Sequence, residues 1–171
     1  MNTILKEGHP MKTAQQWIEA LDLQPHPEGG YYRQTDLSDD QYNKPDRSLP
    51  LYTNIYFLLT EDNPSHFHRL SSDELWFFHD GNPLTVHSLT PEGAYTETTL
   101  GLETNQHLHH TVPAGTIFGS TVDQGYALVS CAVIPGFDFS EFKLFTKDDL
   151  LKTYPDHSDI INKLAYDTLP E

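Results

Sequence analysis

Residues 63–81 read NPSHFHRLSSDELWFFHDG. His66 and His68 stand one residue apart, and Glu74 follows six residues after the second. In a strand alternate side chains share a face, so both imidazoles point to one side and can converge on a spot the size of an ion. Ser71, Ser72 and Asp73 form a turn. A strand that starts at Glu74 and pairs with the first aims Glu74 into the same hollow. Trp76 and Phe78 share its parity and wall that hollow, while Leu75, Phe77 and His79 face a second apolar layer or a subunit interface. Two histidines and one carboxylate are a sufficient facial set for one divalent transition metal. Without metal the same groups form an acid–base cluster, because histidine titrates near neutrality and a carboxyl among aromatics is pushed up by desolvation. The plain alternative is that the histidines only hydrogen-bond inside a polar barrel mouth. His79, His87, His107, His109 and His110 lack a matched carboxylate and read as surface or interface residues.

Other stretches supply candidates for the walls. In PHPEGGYYRQT, Gly29-Gly30 permits a sharp turn or a close approach to a ligand. Glu28 and Arg33 bring opposite charges, and Arg33 is a candidate holder of a carboxylate or phosphate. The alternative is that these two pair with each other or with a partner subunit. Tyr31 and Tyr32 point to opposite faces of an extended chain, so only one meets a pocket, and Tyr32 is the candidate. In IPGFDFSEF, Phe137, Phe139 and Phe142 are expected to pack terminal helices on the barrel rather than to wall a pocket. Cys131, the only cysteine, sits in YALVSCAVI and reads as a buried inert thiol.

These residues need elements to position them. TAQQWIEALDL has a Thr cap and helical spacing of Trp17, Ile18 and Leu21, and Pro25 and Pro27 end it. GGYYRQT enters a strand, and residues 36–50 read as a loop. From Leu51 short strands follow over 51–60, 65–70, 74–79, 83–89, 95–100, 107–112, 116–121, 125–134 and 141–145, with turns at EDNP, DGNP, PEG, PAG and DQG. That spacing predicts a sandwich or barrel. TKDDLLKTY and HSDIINKLAYD return to helix. Residues 1–12 read as an arm before a single domain over 13–171, with Met11 a second candidate start.

The chain has 171 residues, 37% of them hydrophobic, enough for one full core without staples. A formal net charge of -15 argues against nucleic acid and anionic membrane as partners and fits a soluble cytoplasmic protein. Acidic surfaces are common for solubility alone, so the charge does not by itself name a cationic substrate. The start lacks an apolar stretch long enough for a signal peptide, and no segment approaches the ~20 apolar residues of a membrane helix.

The opening stretch resembles the first motif of the cupin superfamily: His66, His68, Glu74 and then Gly81 seven residues on. The gap to Glu74 is one residue longer than usual, and Asn63-Pro64 replaces the upstream glycine region. The second motif, Pro-x-Gly-x-x-His, is met by Pro113 and Gly115, but Phe118 stands at the histidine position. A full cupin metal site has three histidines and a glutamate, and this chain supplies three of the four. A phenyl group there makes the cavity less polar and is placed to stack on a sugar or aromatic ring. LDLQPHPEGGYYRQT, NIYFLL, VPAG, GYALVSCAVIPGFDFSEFKL and YPDHSDII extend the match, and together they resemble the cupin_5 family, formerly a domain of unknown function (DUF985), from about Gln16 to Ile161. The resemblance implies a mainly β, double-stranded β-helix (a jelly-roll barrel) with one N-terminal helix and short C-terminal helices, and a homodimer. The family also resembles the sugar-nucleotide epimerases of the cupin class in fold.

Three functions follow. The first is acid–base isomerisation or epimerisation of a small polar metabolite such as a sugar derivative. There His68 and Glu74 are acid and base, His66 is their partner, Arg33 is the anion holder, and Glu28, Tyr32, Trp76, Phe78 and Phe118 are contacts. The second is a metal-dependent dioxygenase or isomerase using His66, His68 and Glu74. The third is a non-catalytic binding or sensor module. All three take a small-molecule ligand.

Overall fold

The computed structural model describes residues 12–171. All but the last residue of the expected arm lies outside them. Helix α1 (Ala14–Leu21) is followed by strands β1 (Gln24–Pro25), β2 (Tyr31–Leu37), β3 (Gln41–Asn43), β4 (Ser48–Pro50), β5 (Thr53–Thr60), β6 (Ser65–Arg69) and β7 (Asp73–Gly81). Strands β8 (Leu84–Leu89), β9 (Tyr95–Leu100), β10 (His109–Val112), β11 (Ile117–Val122), β12 (Tyr126–Ile134) and β13 (Lys143–Leu144) come next, and helices α2 (Lys147–Thr153) and α3 (Ser158–Leu164) close the chain.

The strands form a six-stranded sheet, β1-β2-β5-β12-β7-β10, and a five-stranded sheet, β13-β6-β11-β8-β9, with antiparallel pairings. Strand alternation turns one face of each inward. Phe57, Trp76, Phe78 and Val129 of the first sheet meet Leu84, Val86, Phe118 and Val122 of the second in one core. On β7 the burial alternates from Glu74 through Trp76 to Phe78, as its sequence parity predicts. This is the expected jelly roll, mainly β, with its helices at the two ends of the chain.

The helices close the outer faces. Thr13 and Gln16 form a reciprocal capping box on α1, whose Trp17, Ile18 and Leu21 pack on Leu58 and Leu128. Helices α2 and α3 bring Leu150, Ile161 and Leu164 onto Phe67, Leu89 and Ile117. The phenylalanines beneath them are Phe67 and Phe145, rather than the expected Phe137, Phe139 and Phe142. Among the described residues no helix is long and apolar enough to cross a membrane.

Residues 36–50 are more than a loop. β3 and β4 pair as a small ribbon, Gln41 opposite Pro50 and Asn43 opposite Ser48. Its turn places Lys44 Nζ 3.0 Å and Arg47 Nη1 3.1 Å from Glu141 Oε1. Ser71 also donates to Glu141. The ribbon therefore pins the Phe139–Glu141 turn and the phenylalanines around it.

Candidate functional site

Inside the barrel is a cavity of about 260 Å³. Its polar floor is built by the turn after α1 and by β6 and β7. Gly29 and Gly30 adopt φ of 106° and 71°, a left-handed backbone that glycine takes without strain. Gly30 N–H donates to Asn63 Oδ1 at 2.9 Å, which docks the turn on the barrel. A Cβ at Gly29 would collide with the Pro64 carbonyl oxygen. So close an approach carries Glu28 into the interior, where it is 6% exposed.

Glu28 is the hub. Its Oε1 accepts from Ser65 Oγ at 2.8 Å. Its Oε2 lies 3.4 Å from His68 Nε2 and 3.5 Å from His26 Nδ1. The backbone fixes the tautomers of both rings. His68 Nδ1 sits 2.8 Å from the His66 carbonyl, which only accepts, so Nδ1 carries the proton and Nε2 presents a lone pair. His26 Nδ1 accepts from Glu28 N–H at 3.2 Å, so it is unprotonated and its one lone pair is engaged by the backbone. One free lone pair, that of His68 Nε2, therefore faces Glu28 Oε2, and a proton on the carboxyl satisfies that contact.

The electrostatics agree. Burial drives His68 down to about 3, against a weaker opposing pull from the His66 carbonyl, and drives His26 down to about 4. Burial raises Glu28 well above the usual carboxylate range, the Glu74 charge adds to this, and the Ser65 hydroxyl opposes it. Glu74, 6% exposed, is pushed up to about 7 by burial. The donors that oppose that rise are weak: the Cys131 thiol, and the Trp76 indole N–H, which lies near without completing a hydrogen bond. Two buried carboxyls beside two neutral imidazoles thus hold about one proton between them near neutral pH.

The remaining wall is mostly apolar, with Gln34 and Thr53 as its neutral polar members. Phe137, Phe139 and Phe142 line the cavity with Tyr32, Ile55 and Val133. Phe139 is a rim residue, 57% exposed.

Of the expected site residues, His68, Glu74, Glu28 and Tyr32 line the cavity. His66 does not. The turn carrying Gly29 lies over it, its Nδ1 donates to the Glu28 carbonyl at 2.8 Å, and its ring stacks on Tyr166 with centroids 3.9 Å apart. Trp76, Phe78 and Phe118 are core residues behind the wall, Phe118 packing against the His68 ring at 4.2 Å. Arg33 lies outside the barrel, where it donates to the Leu21 carbonyl at 3.1 Å and lines a separate groove with Tyr56. Neither an Arg33–Glu28 pair nor an anion holder in the cavity results. His26, Cys131, Phe137, Phe139 and Phe142 are lining residues that the spacing did not pick out. Of these, the two prolines that bracket His26 signal a fixed turn.

A divalent metal does not fit this arrangement. His66 is engaged elsewhere, Phe118 occupies the remaining ligand position, and among the described residues no three His, Cys, Asp or Glu side chains are placed to hold an ion. The expected set of His66, His68 and Glu74 is therefore not assembled.

Comparison with known proteins places the chain. A model of the family described as Cupin superfamily (DUF985) matches residues 15–145. A hypothetical protein from Leishmania major is 41% identical, with TM-score 0.87 over 91% of this chain and 100% of that one. A Shewanella oneidensis protein of known structure is also 41% identical, with TM-score 0.86 over 94% of this chain and 100% of that one. An uncharacterised Saccharomyces cerevisiae protein is 28% identical over 84% of this chain and 80% of its own length. Oxalate decarboxylase from Bacillus subtilis, at 13% identity and TM-score 0.54 over 88% of this chain and 41% of that one, shares the fold alone. The motifs, the two-sheet barrel and these matches agree: the chain belongs to the Cupin_5 (DUF985) family of the cupin superfamily.

Proposed function

We propose that the barrel is a small-molecule site for acid–base chemistry, an isomerisation or epimerisation by proton transfer beside a carbonyl. One observation carries this reading: two buried carboxyls, Glu28 and Glu74, share a cavity in which burial and their mutual repulsion raise the Glu28 pKa, and burial raises that of Glu74. An enzyme of this kind needs one acid and one base ready at the same pH, and unequal environments provide that. Glu28, facing the free lone pair of His68, holds the proton and is the acid. Glu74, with weak donors only, is the base. His68 keeps Glu28 protonated and receives no proton itself, which replaces the His68–Glu74 pairing expected from spacing. The phenylalanines exclude water from a proton in transit.

Deuterium washout tests this without knowledge of the product. The protein is incubated in D2O with small carbonyl-bearing metabolites, and proton NMR follows loss of the signal next to the carbonyl. Exchange by the wild type, lost in Glu74→Gln, is the expected result. Binding of a metabolite without exchange supports the non-catalytic module instead.

A further inference from the structure

The ligand's charge can be read from what the cavity lacks. Among the described residues no lysine or arginine lines it. The nearby cations, Lys44 and Arg47, are tied to Glu141. The floor is rich in acceptors: His68 Nε2 and the oxygens of Glu28 and Glu74, with about one shared proton among them. Glu74 is 6% exposed, lines the cavity and has no strong donor among the described residues. A buried carboxylate left in that state is costly unless something supplies charge and N–H or O–H groups.

The opposite wall supplies the second half. Phe137 and Phe139 meet at 4.9 Å and 82°, Phe137 and Phe142 at 5.9 Å and 61°, and Phe139 and Phe142 at 6.1 Å and 86°. Phe142 also reaches the floor, 5.5 Å from the His68 ring and 5.8 Å from that of His26. Rings set at steep angles to each other form an open corner, and ring faces attract cations most when desolvated. Phe139 is a large apolar residue left 57% exposed at the rim, poorly used as core but well placed as one panel of such a corner.

We propose that the cavity binds a small organic cation, an ammonium group seated between the Phe137–Phe139–Phe142 corner and the Glu28–Glu74 pair. A cavity of about 260 Å³ is at the small end for ligand sites, so the cation is a fragment-sized amine. Phosphorylated sugars and sugar nucleotides are excluded as ligands, because their charge would meet unneutralised carboxylates. The inference rests on the cavity being a small-molecule site, and it narrows the substrate class of that site to amines.

Three probes of one shape test it: cyclohexylammonium, cyclohexanol and cyclohexanecarboxylate, titrated calorimetrically into the protein at pH 7.5. The expected result is cyclohexylammonium binding at least tenfold tighter than cyclohexanol, and no binding of the carboxylate. Glu74→Gln should weaken the ammonium at least tenfold and leave cyclohexanol unchanged. Phe139→Ala, at a rim position where folding is not at stake, should weaken the ammonium more than the alcohol. Cyclohexanol or the carboxylate binding as tightly as the ammonium overturns the cation inference and leaves the small-molecule site standing. Ammonium affinity unmoved in both variants also overturns it. Binding of none of the three overturns the inference and the site together.

Discussion

His68 donates its Nδ1–H to the carbonyl of His66, 2.8 Å away, and so turns a bare Nε2 toward Glu28 Oε2 at 3.4 Å. This relationship makes His68 a fixed, neutral acceptor. Nitrogen NMR of labelled protein should show His68 with a protonated Nδ1 and an unprotonated Nε2 from pH 8 down to about 4. A ring that titrates near its ordinary 6.5 contradicts it, since burial holds His68 at about 3.

Glu74 gives the clearest pH signature. Its folded pKa lies above its unfolded value, so the stability that goes with its protonated form is fully present below about 4.5 and is lost as pH rises through about 7. Glu74→Gln cannot ionise and escapes that loss. Urea unfolding should show the variant gaining on the wild type between these pH values, by on the order of 3 kcal/mol. Parallel stability curves would refute the raised pKa. His68 works in the opposite sense: its lowered pKa contributes stability present above 6.5 and lost as pH falls through about 3. Deuterium washout should correspondingly rise with pH through about 7 as the base ionises.

His66 is a strut. It stacks on Tyr166, whose hydroxyl donates to the Pro27 carbonyl at 3.0 Å, so the chain end clamps the turn that carries Glu28. His66→Ala should lower stability by about 1–2 kcal/mol through loss of the stack and a hydrogen bond, while washout activity persists. Activity lost as completely as in Glu74→Gln would return His66 to the chemistry.

Gly29 positions Glu28. Ala at φ 106° is strained and its Cβ meets the Pro64 carbonyl, so Gly29→Ala should cost about 2–4 kcal/mol, measured by urea unfolding, and displace Glu28. Washout activity should fall more steeply than stability.

Metal should be dispensable. Protein purified without chelator is expected to hold less than about a tenth of an equivalent of any transition metal, and chelator should leave its melting temperature unchanged. A stoichiometric metal, with a fall in melting temperature on its removal, would show that the histidines rearrange to ligate.

The strands, the Thr13 cap and the parity of Glu74, Trp76 and Phe78 were legible because alternation, caps and turn residues act locally. His68 and Glu74 could be placed in a hollow for the same reason. His66 shows where parity stops: a strand sets which side a ring points to, but the glycine turn from another part of the chain decides what covers it. Phe137, Phe139 and Phe142 misled for a similar reason. Their place depends on the ribbon of residues 41–50, whose exposed polar strands lack hydrophobic alternation and which is held by ion pairs to Glu141, distant in sequence. His26 entered through the same glycine turn, with no spacing pattern to mark it.

The shared proton is the centre of the account, and carboxyl carbon NMR of glutamate-labelled protein measures it directly, with Glu28→Gln and Glu74→Gln assigning the signals. Both carboxyls should be protonated at pH 6, and the first ionisation of the pair should fall near 7 and leave one proton on the pair. Both carboxyls titrating together near 4.5 would contradict it.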